Sequence, residues 1–247
     1  SPRLGLSWAP GSRKTVIRSS FGLYYDRIPL RAVANAQRGD GTAYQAITLQ
    51  RSQAGAPVFP NKLASIPSGV LLSLSTNDPN IKAAYGIQSG VEIERELTSQ
   101  LAVSVGYLRM RGVHLIMQRN LNVPTLTAAE EPVNLGRPNP NFGNINQYSG
   151  QGDSYYDGMT VSLERRGPGR ASFRVSYTYS KSIDNTGNAF SSSPQDNFNL
   201  RDNRGLSDND QRHRLTVSGQ FSLPRPSSAS AWSRALGGFQ LNPILTY

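Results

Sequence analysis

Tyr155-Tyr156-Asp157-Gly158-Met159-Thr160-Val161-Ser162-Leu163-Glu164 opens the stretch on which the fold turns, and apolar side chains fall mainly on its odd positions. A basic turn, Arg165-Arg166-Gly167-Pro168-Gly169-Arg170, reverses the chain. The next run sets Phe173, Val175, Tyr177 and Tyr179 against Ser172, Arg174, Ser176, Thr178 and Ser180. Beyond a polar loop, Leu215, Val217, Gly219, Phe221 and Leu223 interleave with Thr216, Ser218, Gln220 and Ser222. Successive side chains of a strand point to opposite faces, so each run has one apolar and one wet face. The wet faces are small and hydroxylic, as when a strand turns one face to lipid and the other to a polar lumen.

Composition fits that reading. Only 37% of the 247 residues are hydrophobic, with 23 Gly and 16 Pro. So polar a chain invites disorder, but sustained alternation rich in Val, Ile, Tyr and Phe argues for strands. A barrel needs few apolar residues per strand. The chain holds no apolar stretch of the length a spanning helix requires. The net charge of +10 is spread through turns and loops. With no basic block or groove-reading helix, nucleic acid is not an expected partner. There is no Cys, so disulfides and thiolate metal sites are excluded.

Outward from that stretch, Leu4, Leu6 and Trp8 mark a first strand, Lys14 to Tyr25 a second, Ala83 to Glu94 a third and Leu101 to Tyr107 a fourth. Val113 to Gln118 extends the fourth beyond a kink at Arg111-Gly112, and an eighth strand starts near Gly237. The connections run short, long, short, long, short, long, then moderate. Outer-membrane barrels alternate short periplasmic turns with long extracellular loops in this way. Turns near Gly11, Glu96 and Gly167, and the connector from Pro224 to Leu236, are therefore expected on the periplasmic side. Loops 26–82, 110–154 and 182–211 are expected outside, with only Tyr44 to Leu49 hinting at an extended piece.

Four segments carry a resemblance. Ser1-Pro2-Arg3-Leu4-Gly5-Leu6-Ser7-Trp8-Ala9-Pro10 is followed by Lys14-Thr15-Val16-Ile17-Arg18-Ser19-Ser20-Phe21-Gly22-Leu23-Tyr24-Tyr25-Asp26. The others are Ser176-Tyr177-Thr178-Tyr179-Ser180-Lys181-Ser182-Ile183-Asp184 and Asn203-Arg204-Gly205-Leu206-Ser207-Asp208-Asn209-Asp210-Gln211-Arg212-His213-Arg214. Together they resemble the barrel of TonB-dependent receptors, in particular the Oar-like proteins with a carboxypeptidase-regulatory-like domain. The resemblance implies a barrel of about 22 strands closed by an N-terminal plug. It also implies residence in the bacterial outer membrane, ligand capture by the extracellular loops, and uptake energised through the plug and TonB.

The expected fold is thus all-β: residues 1–247 form a single antiparallel transmembrane barrel segment of about eight strands, a piece of a longer protein. Its partners are outer-membrane lipid, a plug, TonB, and a small-molecule, peptide or glycan ligand that the loops do not specify. Arg18, Gln88, Glu92, Arg174 and Gln220 are the candidates to face the lumen and plug. Trp8, Tyr25, Tyr107, Tyr155, Tyr177 and Tyr179, placed at or near strand ends, are the candidates for aromatic girdles at the membrane interfaces. Two alternatives stand beside this reading: a structural or adhesive barrel, and a soluble β-sandwich binding glycans on Tyr faces.

Catalytic patterns are missing. His114 and His213 are the two available bases, and neither accompanies a Gly-x-Ser-x-Gly elbow. No enzyme activity and no cofactor are expected. Asp202, Asp208, Asn209 and Asp210 offer oxygens to Ca²⁺, but without the EF-hand spacing. Asx turns and salt bridges are the preferred account of that cluster, so no metal site is assigned.

Overall fold

The structure is a computed structural model that describes residues 1–11, 14–42, 44–52, 54–124, 136–167, 169–187, 193–222 and 238–247. Its long strands are β1 (Arg3–Trp8), β2 (Thr15–Tyr25), β4 (Tyr85–Thr98), β5 (Leu101–Asn120), β6 (Ile145–Arg165), β7 (Ala171–Asp184) and β9 (His213–Ser222). Short ones are β3 (Leu74–Asn77), β8 (Gly205–Leu206), β10 (Gln240–Leu241) and β11 (Ile244–Thr246), and the one helix among the described residues is α1 (Leu30–Arg38). All the strands join one sheet in the order β1-β2-β4-β5-β6-β7-β9-β10, with β11 also on β9. The long strands pair antiparallel, each with its neighbour in the chain, through short turns at one end and long connections at the other.

Register shows why the alternation matters. Trp8, Ile17, Ile93, Val105, Val161, Tyr177 and Leu215 stand directly opposite one another across seven strands. One position along, Ser7, Arg18, Glu92, Gly106, Thr160, Thr178 and Arg214 are aligned on the other face. A slip of one residue anywhere would mix the two sets. The sheet therefore has a continuous apolar face and a continuous polar face.

Among the described residues, nothing covers the apolar face. Leu6 is 66% exposed, Ile93 48% and Val105 39%. The buried hydrophobic residues, Ala32, Ala36, Ile116, Met117 and Tyr148, all lie above this region, where α1 meets β5 and β6. A soluble domain buries its sheet under a second layer. Among the described residues there is one sheet, and its apolar surface far exceeds the patches that water-soluble monomers tolerate.

The apolar set also drifts across the sheet. On β2 it runs from Ile17 to Tyr25, whereas on β9 it runs from Leu215 to Phe221, which is the turn-end half in register terms. Strands tilted by about 35–45° produce this diagonal, because a layer of constant depth crosses successive strands at shifting positions.

Several boundaries differ from expectation. Strand β4 continues through Arg95-Glu96-Leu97-Thr98, and the reversal falls at Ser99-Gln100. The distortion in β5 lies at Val113–Leu115 and Leu115–Met117 and not at Arg111-Gly112; His114 adopts φ 58 there, a left-handed conformation uncommon outside Gly. Region 110–154 is strand at both ends, since β5 reaches Asn120 and β6 starts at Ile145. Region 26–82 contains α1 and β3, and Tyr44 to Leu49 contributes a single bridge, Ala46 to Ser73. Leu223 and the connector from Pro224 to Leu236 lie outside the described residues.

Candidate functional site: a polar face beneath a folded cap

On the polar face, glycines recur in neighbouring strands. Gly90, Gly106 and Gly158 floor a groove of about 400 Å³, walled by Arg18, Glu92 and Tyr156. The Tyr156 ring lies over Gly158, where a Cβ would stand 2.5 Å from the phenol oxygen. This row carries no signal in a hydropathy pattern, because glycine reads equally as a weakened strand. The even-position register identifies it.

The five lumen candidates all fall on this face, in separate places. Arg18 joins Glu94 at 2.6 Å and Glu92 at 3.7 Å. Arg174 and Arg166 both pair with Glu164 nearer the turn end. Gln220 donates from Nε2 to Gln240 Oε1 at 3.0 Å. Gln88 lies in register with Gly22 and Met110, away from both ion-pair groups. Hydroxyls bridge the strands between them: Thr160 to Thr178 and Ser162 to Ser176, both at 2.9 Å.

The six aromatic candidates all lie on the opposite, apolar face. Tyr107, Tyr155, Tyr177 and Tyr179 are well inside their strands, contrary to expectation, because β5 and β7 continue past them and β6 begins ten residues before Tyr155. A charged register begins one step beyond Tyr107 and Tyr179, formed by Arg109, Asp157 and Lys181. The Tyr107 hydroxyl donates to Asp157.

At the long-loop end, the β5–β6 hairpin extends well past β7 and carries a folded cap. Strand β3 pairs parallel with β6 from Ile145 to Tyr148, taking the edge left free where β7 has stopped. Ala32 and Ala36, four apart on one side of α1, give the helix its buried stripe, and Ala32 packs with Ile116 and Tyr148. Asn35 Nδ2 donates to the Tyr148 hydroxyl at 2.8 Å.

Asn122, 1% exposed, organises the adjoining loop. Its Nδ2 donates to the carbonyls of Asn139, Phe142 and Gly143 at 2.7–2.9 Å, and its Oδ1 accepts from the Asn139 N–H at 2.7 Å. Asn120 extends this network: its N–H donates to Asn197 Oδ1 at 2.6 Å, linking two long connections. The Asn-rich composition marks these segments only as loop.

The remaining candidates have ordinary partners. His213 Nδ1 bonds the Tyr177 hydroxyl at 2.7 Å, and His114 Nδ1 lies 3.1 Å from the Gly150 carbonyl. Asp210 accepts the Ser182 N–H at 2.6 Å and pairs with Arg212 at 3.2 Å. The Ser182 bond, followed by Arg212, holds the Asp210 carboxyl below the usual carboxylate range. Among the described residues, no three of His, Cys, Asp and Glu gather closely enough for a metal ion, so Asp202, Asp208 and Asp210 do not form one site.

With one apolar face, one polar face and tilted antiparallel strands described, comparison with known proteins is direct. The family model described as "Outer membrane beta barrel domain" matches residues 1–247. The chain belongs to the outer membrane beta barrel domain family. The match places this barrel domain in the bacterial outer membrane. Among solved structures it is similar to the outer membrane transporter YddB from Escherichia coli, at 12% identity and a TM-score of 0.52, covering 85% of this chain and 25% of that one. Two more are the FrpB iron transporter from Neisseria meningitidis (F3-3 variant) and the siderophore receptor PirA from Pseudomonas aeruginosa. FrpB shows 10% identity, a TM-score of 0.47, and coverage of 91% of this chain and 24% of that one. PirA shows 13% identity, a TM-score of 0.40, and coverage of 90% and 36%. At these identities the likeness concerns fold alone. The barrel domain spans about a quarter of the length of YddB. No curated protein matches.

Proposed function

We propose that residues 1–247 form one wall segment of a TonB-dependent receptor, which takes up a ligand from outside the cell. The observation that supports this most is the cap. Long β5 and β6 rise past the apolar set and carry α1, β3 and the Asn122 network, an ordered superstructure at the end where outer-membrane barrels face the medium. A barrel that only anchors has no need for such a cap. Arg18, Gln88, Glu92, Arg174 and Gln220 would face the lumen and the plug, where the glycine row permits close backbone approach. Trp8, Tyr25, Tyr107, Tyr155, Tyr177 and Tyr179 would meet lipid, with Tyr107 and Tyr179 at the outer boundary. Strands β1 and β10 expose sheet edges that hydrocarbon does not tolerate, so further strands would complete the wall. The ligand is a small molecule, peptide or glycan.

The test is solute depletion. Cells with and without the gene are grown in one complex medium, and the spent media are compared by mass spectrometry before and after the proton-motive force is collapsed. A receptor of this class removes at least one solute only when the gene and the energy source are both present. Identical spent media in all four conditions would leave an anchoring or adhesive barrel.

A further inference from the structure

The outer wall carries a cluster of charge directly beyond its apolar band. Arg109 on β5, Asp157 on β6 and Lys181 on β7 share one register on the apolar face, directly beyond Tyr107, Met159 and Tyr179. In the next register on that face stand Arg111 and Tyr155. The Arg111 guanidinium lies 5.2 Å from the Tyr155 ring centre, and that of Arg204, just before β8, lies 4.8 Å from it. Two guanidiniums thus share one aromatic ring at the edge of the apolar band. Asp157 is the acid among them, 3.8 Å from Arg109 and already engaged by Tyr107. Beside this group, a cavity of about 290 Å³ is lined by Asp153, Tyr155, Asp184, Asn185, Arg201 and Arg204. Counting its two acids and Arg201, cations still outnumber carboxylates on this stretch of wall.

We propose that this patch is a binding site for the phosphate headgroup of an anionic lipid in the outer leaflet. Three considerations lead there. The residues lie on the lipid-facing side and one step beyond the apolar set, at headgroup depth. Their charge is positive in excess, and charge complementarity at this depth calls for an anion. Guanidiniums present forked donors that match phosphate oxygens two at a time, and stacking on Tyr155 pre-orients two of them. The site is on the outside of the wall, so its occupant is neither the transported ligand nor the plug.

The native protein, extracted from outer membranes in dodecyl maltoside, is titrated with phosphatidic acid and separately with phosphatidylcholine, and bound lipid is read by native mass spectrometry. Phosphatidic acid is expected to bind and phosphatidylcholine to bind far less. Each of Arg109→Gln, Arg111→Gln, Arg204→Gln and Lys181→Gln should weaken phosphatidic acid binding about fivefold, since a basic side chain at a membrane surface contributes on that order. Arg95→Gln, on the same face near the opposite end of β4, should change nothing. If removing a stacked Arg prevents folding, the Arg111→Lys and Arg204→Lys variants, which keep the charge, and Lys181→Gln decide the matter. Equal binding of both lipids, or unchanged affinity in the Gln variants, would overturn the proposal. So would displacement of the lipid by inorganic phosphate at equal concentration, which would mark a site for free anions.

Discussion

Val161→Arg is the substitution that bears hardest on the assignment of faces. On β6 the outward side chains Leu163, Val161 and Met159 are bounded by Asp157 and Arg165, eight residues apart. At ~3.4 Å per residue that is about 27 Å along the strand. A tilt of about 40° reduces it to roughly 21 Å of depth, close to the ~25 Å apolar band of such barrels. Val161 is the midpoint, aligned with Val105 and Tyr177. An Arg at the midplane of a lipid face costs about 2–4 kcal/mol, and the cost fades toward the interfaces. Met159→Arg, two residues nearer the boundary, should therefore cost less. Ser162→Arg, on the adjacent but opposite-facing position, loses the hydrogen bond to Ser176 and should cost about 1 kcal/mol. The assay is urea unfolding of the full-length protein in phosphatidylcholine vesicles, followed by the loss of heat-modifiable gel mobility. Equal losses for Val161→Arg and Ser162→Arg, or a Met159→Arg loss as large as that of Val161→Arg, would refute the assignment.

Other consequences concern the cap, the glycines and pH. Asn122→Ala removes hydrogen bonds to three carbonyls and one N–H, and should cost about 1–3 kcal/mol locally. Hydrogen exchange should accelerate over 136–145 while the amides of β7 stay protected. Gly152→Ala places a Cβ 2.8 Å from the Leu115 carbonyl and 2.6 Å from a Thr186 methyl, whereas a Cβ at Gly86 meets nothing within 4 Å. Gly152→Ala should therefore lose about 1–3 kcal/mol in the same unfolding assay, and Gly86→Ala should be neutral or gain slightly. Asp210 has a depressed carboxyl pKa, so its contribution is complete above the ordinary carboxylate range and disappears as pH falls through the depressed value. Protection of the Ser182 amide, corrected for intrinsic exchange, should fall on acidification, and Asp210→Asn should remove that pH dependence.

The wall was legible because lipid on one side and a polar interior on the other impose strict alternation. That pressure acts on β2, β7 and β9 along most of their length; the expected limits of β2 agree nearly to the residue, whereas β7 runs on to Asp184, four residues past the expected Ser180. It ends at the membrane boundary. Ile145 to Asp153 of β6 is paired strand but lies above that boundary, where loops and water replace lipid, so its Asn, Gln, Ser and Gly show no alternation. Helix α1 buries only two alanines, a stripe too slight to stand out in a polar stretch. Strand β3 is four residues long and gains its partner from the free edge of β6, a tertiary circumstance with no local signature. The charged and polar run Arg95-Glu96-Leu97-Thr98 resembles a turn, yet it stays in β4, where Arg95 and Glu96 remain paired with Val103 and Ala102 of β5. The lumen candidates were read from parity alone, which identified their face but not their partners.

These 247 residues contain no Cys, which makes a labelling scan from 158 to 163 on β6 the most direct test. Single cysteines at these positions in the full-length protein are spin-labelled in phosphatidylcholine vesicles, and collision with oxygen, which partitions into lipid, is compared with collision with a water-soluble nickel chelate. A barrel wall predicts oxygen-dominated collision at 159, 161 and 163, and lower oxygen access with more chelate contact at 158, 160 and 162. Flat profiles, or the opposite phase, would contradict it.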